Sequence, residues 1–269
     1  LFADDCIIYR AINSSDDHLS LNNSLSKIAH WCEQWQMLIN LTKTVCMTVT
    51  RKKEPSDFTY TINGVPLQRV TQQKYLGVTL TSELRWDAHI NNVTASALRK
   101  LFFLRRRLPF APTDTRLLTY TTFVRPILEY ANTVWFPQGV TNIAKVERVQ
   151  RKAIRFIHNK YKRTDSPTHL LETSGLPTLA TRAKIARLKF LHHILHNHSR
   201  IDASRYISLA ESRTLRHKHA YTINEYASNN DCFKQSFFPL SISEWNRLDP
   251  SITNAPSLAE FTSKIESIL

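Results

Sequence analysis

Leu1-Phe2-Ala3-Asp4-Asp5-Cys6-Ile7-Ile8-Tyr9 sets two adjacent carboxylates between two apolar runs. Apolar runs of this length read as strands, and a turn between them holds Asp4 and Asp5 at its tip. Neighbouring carboxylates repel, and burying either alone is unfavourable. A divalent cation removes both penalties. Hard oxygen ligands at a hairpin tip suit Mg2+, which keeps waters and completes its shell from substrate phosphates. Read alone, the pair is more readily a plain polar turn, because short motifs recur by accident.

Outward from this stretch, Ser14, Ser15 and Asp16 are N-cap candidates for a helix. Leu21, Leu25, Ile28, Cys32 and Trp35 recur at spacings of three and four and form a core-facing stripe. Asn40 to Thr44 reads as a polar turn and Val45 to Thr50 as a strand; Arg51 to Asp57 is a charged loop broken by Pro55. Phe58 to Ile62 and Val65 to Val70 flank Asn63-Gly64, a hairpin turn signal. Lys74 to Leu80 reads as a further strand. After Trp86 the period becomes helical and no strand is expected before His198. Asp87 caps a helix carrying Ile90, Val93, Ala97, Leu101, Leu104 and Leu108, stopped by Pro109. Thr113 or Asp114 starts the next, with Leu117, Leu118 and Val124, and Pro126 forces a kink or a break. Ile143, Val146, Gln150, Ala153 and Ile157 mark a third helix; Leu179, Ala183, Ala186, Phe190 and Ile194 mark a fourth. Beyond Ser199 the pattern weakens through basic Arg213 to Lys218 and polar Tyr221 to Lys234. Order returns at Phe237, Phe238, Ile242 and Trp245, and Ser257 to Glu260 is a capping box for a last helix with Phe261 and Ile265.

Composition narrows the function classes. At 269 residues and 42% apolar content, the chain can bury the cores of about two domains and is not a disordered sequence. Four glycines leave no phosphate-cradling glycine loop. Cys6, Cys32, Cys46 and Cys232 form no CxxC pair, so neither a zinc knuckle nor a disulfide framework is expected, and a reduced intracellular compartment fits. No run is long and apolar enough for a membrane span or a signal peptide. A first residue Leu1, with Met37 and Met47 the only methionines, points to a piece of a longer protein. Thirty-six basic against 22 acidic residues give +14, which favours a polyanionic partner, nucleic acid first and an anionic membrane second.

Four stretches in order carry a resemblance. Phe2-Ala3-Asp4-Asp5 between apolar runs resembles the active-site hairpin of reverse transcriptases. Trp35 to Thr44 resembles the next polymerase motif of that family, and Gln73-Lys74-Tyr75-Leu76-Gly77-Val78 its primer-gripping hairpin. Arg125-Pro126-Ile127-Leu128-Glu129-Tyr130-Ala131 resembles a segment found after the palm in non-LTR (LINE-type, jockey-like) retrotransposon enzymes. The likeness runs over most of the chain, strongest from Leu1 to His158, with an echo at Ser236 to Pro239 and Trp245-Asn246. It implies an α+β fold: the C-terminal part of a polymerase palm over residues 1–85, a helical thumb over 86–163, and a mainly helical extension over 164–269. It implies that Asp4 is a direct ligand of Mg2+ and Asp5 a peripheral ligand or charge partner. A further palm aspartate would lie before Leu1, so the chain does not complete the site alone. Lys43 falls where related polymerases carry a lysine near the leaving pyrophosphate, able to act as general acid. Tyr75, Leu76 and Gly77 would brace the primer end. The parent would be an RNA-directed DNA polymerase working by two-metal nucleotidyl transfer on an RNA template, a DNA primer at a nicked target and deoxynucleoside triphosphates, in nucleus and cytoplasm. A different reading is a nucleic-acid-binding remnant that is not catalytic; a third is a basic scaffold bundle.

Basic side chains cluster on two of the expected helices. Arg99, Lys100, Arg105, Arg106 and Arg107 crowd the first helix after Trp86 and its end. Lys145, Arg148, Arg151, Lys152 and Arg155 line the third, with Lys160, Lys162 and Arg163 beyond. Arg148, Lys152 and Arg155 share one face, and like charges on one face repel unless phosphates or solvent cover them. Two other patterns carry no site. His192 and His196 have a zinc-like spacing without the glutamate of H-E-x-x-H or a cysteine partner, and Ser174-Gly175 lacks the flanking glycine of a nucleophile elbow.

Overall fold

The structure, a computed structural model, describes residues 4–50, 52, 57–196, 199–210 and 219–268, and divides into two compact units, Leu1–His89 and Ile90–Leu269.

In the first unit, Leu1–Ala3 lie outside the described residues, as does most of the charged loop 51–57. Asp4 sits in a turn, but the strand expected after Asp5 does not form: Cys6–Arg10 is irregular and exposed. A two-stranded hairpin is marginal unless a sheet or helix covers it, and Ile7, Ile8 and Tyr9 face solvent. Helix α1, Ser15–Gln34, starts at the N-cap Ser14. Asp17 accepts from the Asn13 and Ser14 amides and from Arg10 Nε, at 3.0, 3.1 and 3.0 Å. The Asn13 amide, then Arg10 and the Ser14 amide, hold its carboxyl down at about 2. The stripe from Leu21 to Cys32 is half-buried, but Trp35 is 64% exposed. It is the C-cap, and the chain leaves the helix at Gln36 with φ 55°, so the core face ends one turn early.

The strands are shorter than their patterns: β1 Val45–Cys46, β2 Thr61–Ile62, β3 Val65–Pro66, β4 Gln68–Arg69, β5 Gln72–Tyr75 and β6 Val78–Thr81. They pair as three two-stranded ladders, β1–β4 parallel, β2–β3 and β5–β6 antiparallel. Alternation outlasts pairing because each strand has one neighbour and Pro66 brings no N–H to the ladder. Asn63 and Gly64, at φ 50° and 77°, make the expected type I′ turn. Lys74–Leu80 is not one strand: Leu76 and Gly77, at φ 45° and 81°, turn it back into the β5–β6 hairpin. Helix α1 packs on β2. His18 stacks on Phe58 at 4.8 Å between centroids and shares a 2.7 Å hydrogen bond with the Tyr60 hydroxyl. His89, in the first turn of α2 (Asp87–Arg107), accepts from the Thr79 amide at 3.1 Å.

The second unit is helical. It holds the rest of α2, then α3 Thr113–Phe123, α4 Arg125–Glu129, α5 Asn132–Trp135, α6 Val140–His158, α7 Pro167–Thr173 and α8 Leu179–Leu195. After these come α9 Asp231–Lys234, α10 Phe237–Trp245, α11 Pro250–Thr253 and α12 Leu258–Ile268. The break expected at Pro126 is present: α3 ends and α4 restarts with proline in its first turn, where a missing N–H is no loss. The buried face of α3 is not the one carrying Leu118, which is exposed. It carries Arg116 and Tyr120, and Val124 at the C-cap is buried as expected. Tyr120 donates to Gln150 Oε1 at 2.7 Å, and Gln150 Nε2 donates to the Pro177 carbonyl at 2.9 Å. Burial raises the Tyr120 hydroxyl well above its ordinary value.

Helix α8 touches α4, α5, α6, α10 and α12. Ala183 and Ile194 are buried as expected, Phe190 lies at the edge against Phe237, and Leu188 and Leu191 are buried on a face the period did not mark. They join Ile242, Trp245, Phe261 and Ile265 in one core, and Ser257 caps α12 through the Glu260 amide. Arg187, 4% exposed, pairs with Glu244 at 2.9 Å. Among the described residues no strand lies between Trp86 and His196; a bridge joins Leu209 to Ile223. The basic segment 213–218 lies outside the described residues.

Removing one partner of a buried ion pair strands the other. Arg187→Ala is expected to destabilise the second unit by about 3–5 kcal/mol, read as a lower urea midpoint. Burial also pushes the imidazoles of His89, His158 and His219 below their ordinary 6.5. Below about pH 6.5 the unfolded chain takes up protons that the native chain refuses, so stability falls as pH falls. The urea midpoint at about pH 5 is expected below that at about pH 7.5, and His219→Phe should reduce the difference.

Candidate nucleic-acid interface

Helices α2 and α6 lie side by side in the second unit. Lys145 Nζ reaches Asn91 Oδ1 at 3.4 Å, Lys152 Nζ sits 5.4 Å from the centroid of Phe102, and the Arg105 guanidinium lies 4.1 Å over Tyr161. These contacts run in the same order along both helices, so α2 and α6 are parallel and their C-terminal ends meet. Arg116, buried beneath them, donates to the Pro109 carbonyl at 2.7 Å and the Phe156 carbonyl at 3.2 Å. One guanidinium thereby pins the turn after α2 to the last turn of α6.

Arg105, Arg106 and Arg107 occupy the last turn of α2, where cations oppose the negative end of the helix dipole. They are exposed, as are Arg99, Lys100, Arg148, Arg151 and Lys152. Among the described residues none of these eight pairs with a carboxylate. Nearby acids are committed elsewhere. Glu147 turns to the Ala180 amide at 2.9 Å, its carboxyl raised by burial, while Glu129 pairs with Arg182. Among the described residues the positive charge on this face is therefore without ion-paired carboxylates, Arg151 acting on Glu147 only at longer range.

Arg155 differs from its neighbours. It donates to the Lys162 carbonyl at 3.1 Å and the Asp165 carbonyl at 2.9 Å, closing the loop after α6. Sequence spacing had grouped it with Arg148 and Lys152, and nothing local announces carbonyls that arrive ten residues later. The aromatic partners Phe102 and Tyr161 were also missed. Their signal is the interleaving of rings with cations in Leu101 to Phe110 and Lys160 to Arg163.

In the first unit Asp4 and Asp5 are exposed, and among the described residues they make no hydrogen bond or ion pair with Lys43. Lys43 is exposed on a turn built by Asn40, whose Oδ1 accepts from the Thr42 and Lys43 amides at 3.1 and 3.2 Å. Tyr75 and Leu76 are half-buried and Gly77 is exposed at the β5–β6 turn. Carboxylate oxygens suit Mg2+. The described residues nonetheless hold no group of three metal-binding side chains, so Asp4 and Asp5 do not by themselves make a two-metal centre. The His192 and His196 rings lie 4.2 Å apart, His192 stacked on Phe261 in the core. Ser174 Oγ donates to the Leu170 carbonyl and shares a 2.7 Å hydrogen bond with His158, tying α7 to α6.

No family model and no solved structure matches the chain. Curated relatives do. The chain is 27% identical over 179 residues to the probable RNA-directed DNA polymerase from transposon BS of Drosophila melanogaster, covering 64% of this chain and 19% of the relative. It is 25% identical over 162 residues to the probable RNA-directed DNA polymerase from transposon X-element of the same fly, covering 58% and 18%. It is 30% identical over 142 residues to the RNA-directed DNA polymerase from mobile element jockey of Drosophila funebris, covering 51% and 15%. The resemblance read from the ordered motifs is thereby borne out: over half to two-thirds of its length the chain is similar to the polymerases of jockey-like non-LTR retrotransposons. It spans less than a fifth of the length of these relatives.

The two classes of arginine separate in a stability measurement. Arg155→Ala removes bonds from a cation to loop carbonyls and is expected to lose about 1–3 kcal/mol. Arg148→Ala and Lys152→Ala should stay within about 0.5 kcal/mol of wild type. Urea unfolding of the three variants checks this.

Proposed function

We propose that the chain is part of an RNA-directed DNA polymerase of a non-LTR retrotransposon and that its second unit grips the nucleic acid. The observation that carries this is the parallel α2–α6 pair, whose eight exposed cations lack carboxylate partners among the described residues, in a chain similar to transposon polymerases. Phosphates supply the missing negative charge without sequence preference, so a duplex or a hybrid of template and primer fits this face. In this reading residues 1–85 belong to the palm, the helices over 86–163 to the thumb and those over 164–269 to an extension beyond it. Asp4 and Asp5 contribute carboxylates to a magnesium site whose remaining ligand comes from elsewhere in the polymerase. Lys43 stands as a proton donor to the leaving pyrophosphate, and Tyr75, Leu76 and Gly77 brace the primer. The described residues by themselves do not complete the shell of such a metal.

A second reading is a nucleic-acid-binding module that is not itself catalytic, favoured by the eight exposed cations of the α2–α6 face, which need no metal centre to hold phosphates. Both readings require the α2–α6 face to bind phosphates. Its affinity for duplex DNA should fall with salt at about −0.9 in log K per log salt for each phosphate contact. Arg148→Ala, Arg151→Ala and Lys152→Ala together should flatten that slope by up to about three. Fluorescence anisotropy at several salt concentrations measures both slopes, and an unchanged slope would remove these residues from the interface.

A further inference from the structure

The end of α2 is more than a set of charges. Phe102 and Phe103 are partly exposed on it, and Phe110, in the turn that follows, is 96% exposed. The backbone of that turn is held, because the preceding carbonyl, of Pro109, accepts from buried Arg116. Arg107 lies 5.6 Å over the Phe103 ring, and Arg105 lies over Tyr161, itself partly exposed. Each pair holds a guanidinium against an aromatic face before any ligand arrives.

A duplex makes poor use of this arrangement. It offers phosphates to the arginines, but its base faces are already stacked on one another, so the rings stay bare. A strand with unpaired bases offers both groups: phosphates for the cations, and flat faces that stack on phenyl rings and on guanidinium planes. An apolar protein surface would cover the rings and leave Arg105, Arg106 and Arg107 desolvated without counter-charge. We infer that the tip of α2 is a docking site for single-stranded nucleic acid, whose bases stack on Phe103 and Phe110 while Arg105, Arg106 and Arg107 take its phosphates. The site rests on the reading of α2 and α6 as a nucleic-acid interface and names the form of polynucleotide that its end selects. Stacking tolerates any base, so the site carries little sequence preference.

The test compares two labelled probes on the full chain by anisotropy: a single-stranded pyrimidine oligonucleotide of roughly a dozen nucleotides, and a duplex of equal length. Heparin, a polyanion without bases, serves as competitor. Phe103→Ala with Phe110→Ala is expected to weaken single-strand binding by about five-fold or more, since one lost stack is worth at least that. Duplex affinity and displacement by heparin should stay within about two-fold of wild type, which also shows that the variant is folded. Phe103→Tyr with Phe110→Tyr, which keeps the rings, should bind the single strand as wild type does. Unchanged single-strand affinity in the alanine variant overturns the inference, and so does an equal loss for both probes. Failure of the wild-type chain to bind either probe overturns the underlying interface as well.

Discussion

Helix α8 is covered from several directions at once, by α4, α5, α6, α10 and α12, and the second unit depends on that enclosure. Polar groups on its covered faces cannot turn to solvent, so a partner in place offsets their burial. Arg187 finds Glu244 and Arg182 finds Glu129, two carboxylates from different helices. The apolar remainder, Leu188 and Leu191 with Trp245, Phe261 and Ile265, closes the core from α10 and α12. These ion pairs lend register as much as energy: a rotation of α8 that preserved its apolar contacts would take Arg187 from Glu244 and leave Glu129 only the longer pair with Arg125.

The same commitment of acids leaves the α2–α6 face basic. With 22 acidic residues against 36 basic ones, every carboxylate drawn into a core pair or a cap is lost to surface neutralisation. Positive charge here is therefore a by-product of how the interior is satisfied as well as a feature of the surface. Arg116 and Arg155 show that the surplus is not all available to a ligand, since both spend their donors on backbone carbonyls.

What the sequence discloses follows the range of the interactions. Helix starts are legible because a cap is made by residues three apart, as at Ser14 with Asp17 and Ser257 with Glu260. The Asn63-Gly64 turn is legible because positive φ falls to residues that tolerate it. Strand lengths are not, because pairing depends on a distant partner: Val45–Thr50 keeps its alternation while only Val45 and Cys46 have a neighbour in β4. The misplacing of Leu118 on the buried face of α3, where Val124 does lie, has the same origin. Tyr120 is inward because Gln150, from α6, waits for its hydroxyl, whereas Leu118 offers the core nothing that its period promised. At the candidate site, residue types and their order could be read through resemblance. The parallel approach of α2 and α6, which makes one surface of two basic helices, could not.

Four of the five tryptophans stand in contrasting surroundings in the two units, the fifth, Trp86, being half-buried. Trp135 and Trp245 are fully enclosed in the second unit, their indole N–H groups held by the carbonyls of Tyr130 and Tyr221. Trp31 and Trp35, in the first, stand largely in water. The chain thus carries its own optical labels. Emission from the enclosed indoles is expected to be blue and shielded from iodide, standing apart from the red, quenchable emission of the open pair, so that the loss of structure in the second unit can be followed without attaching a dye.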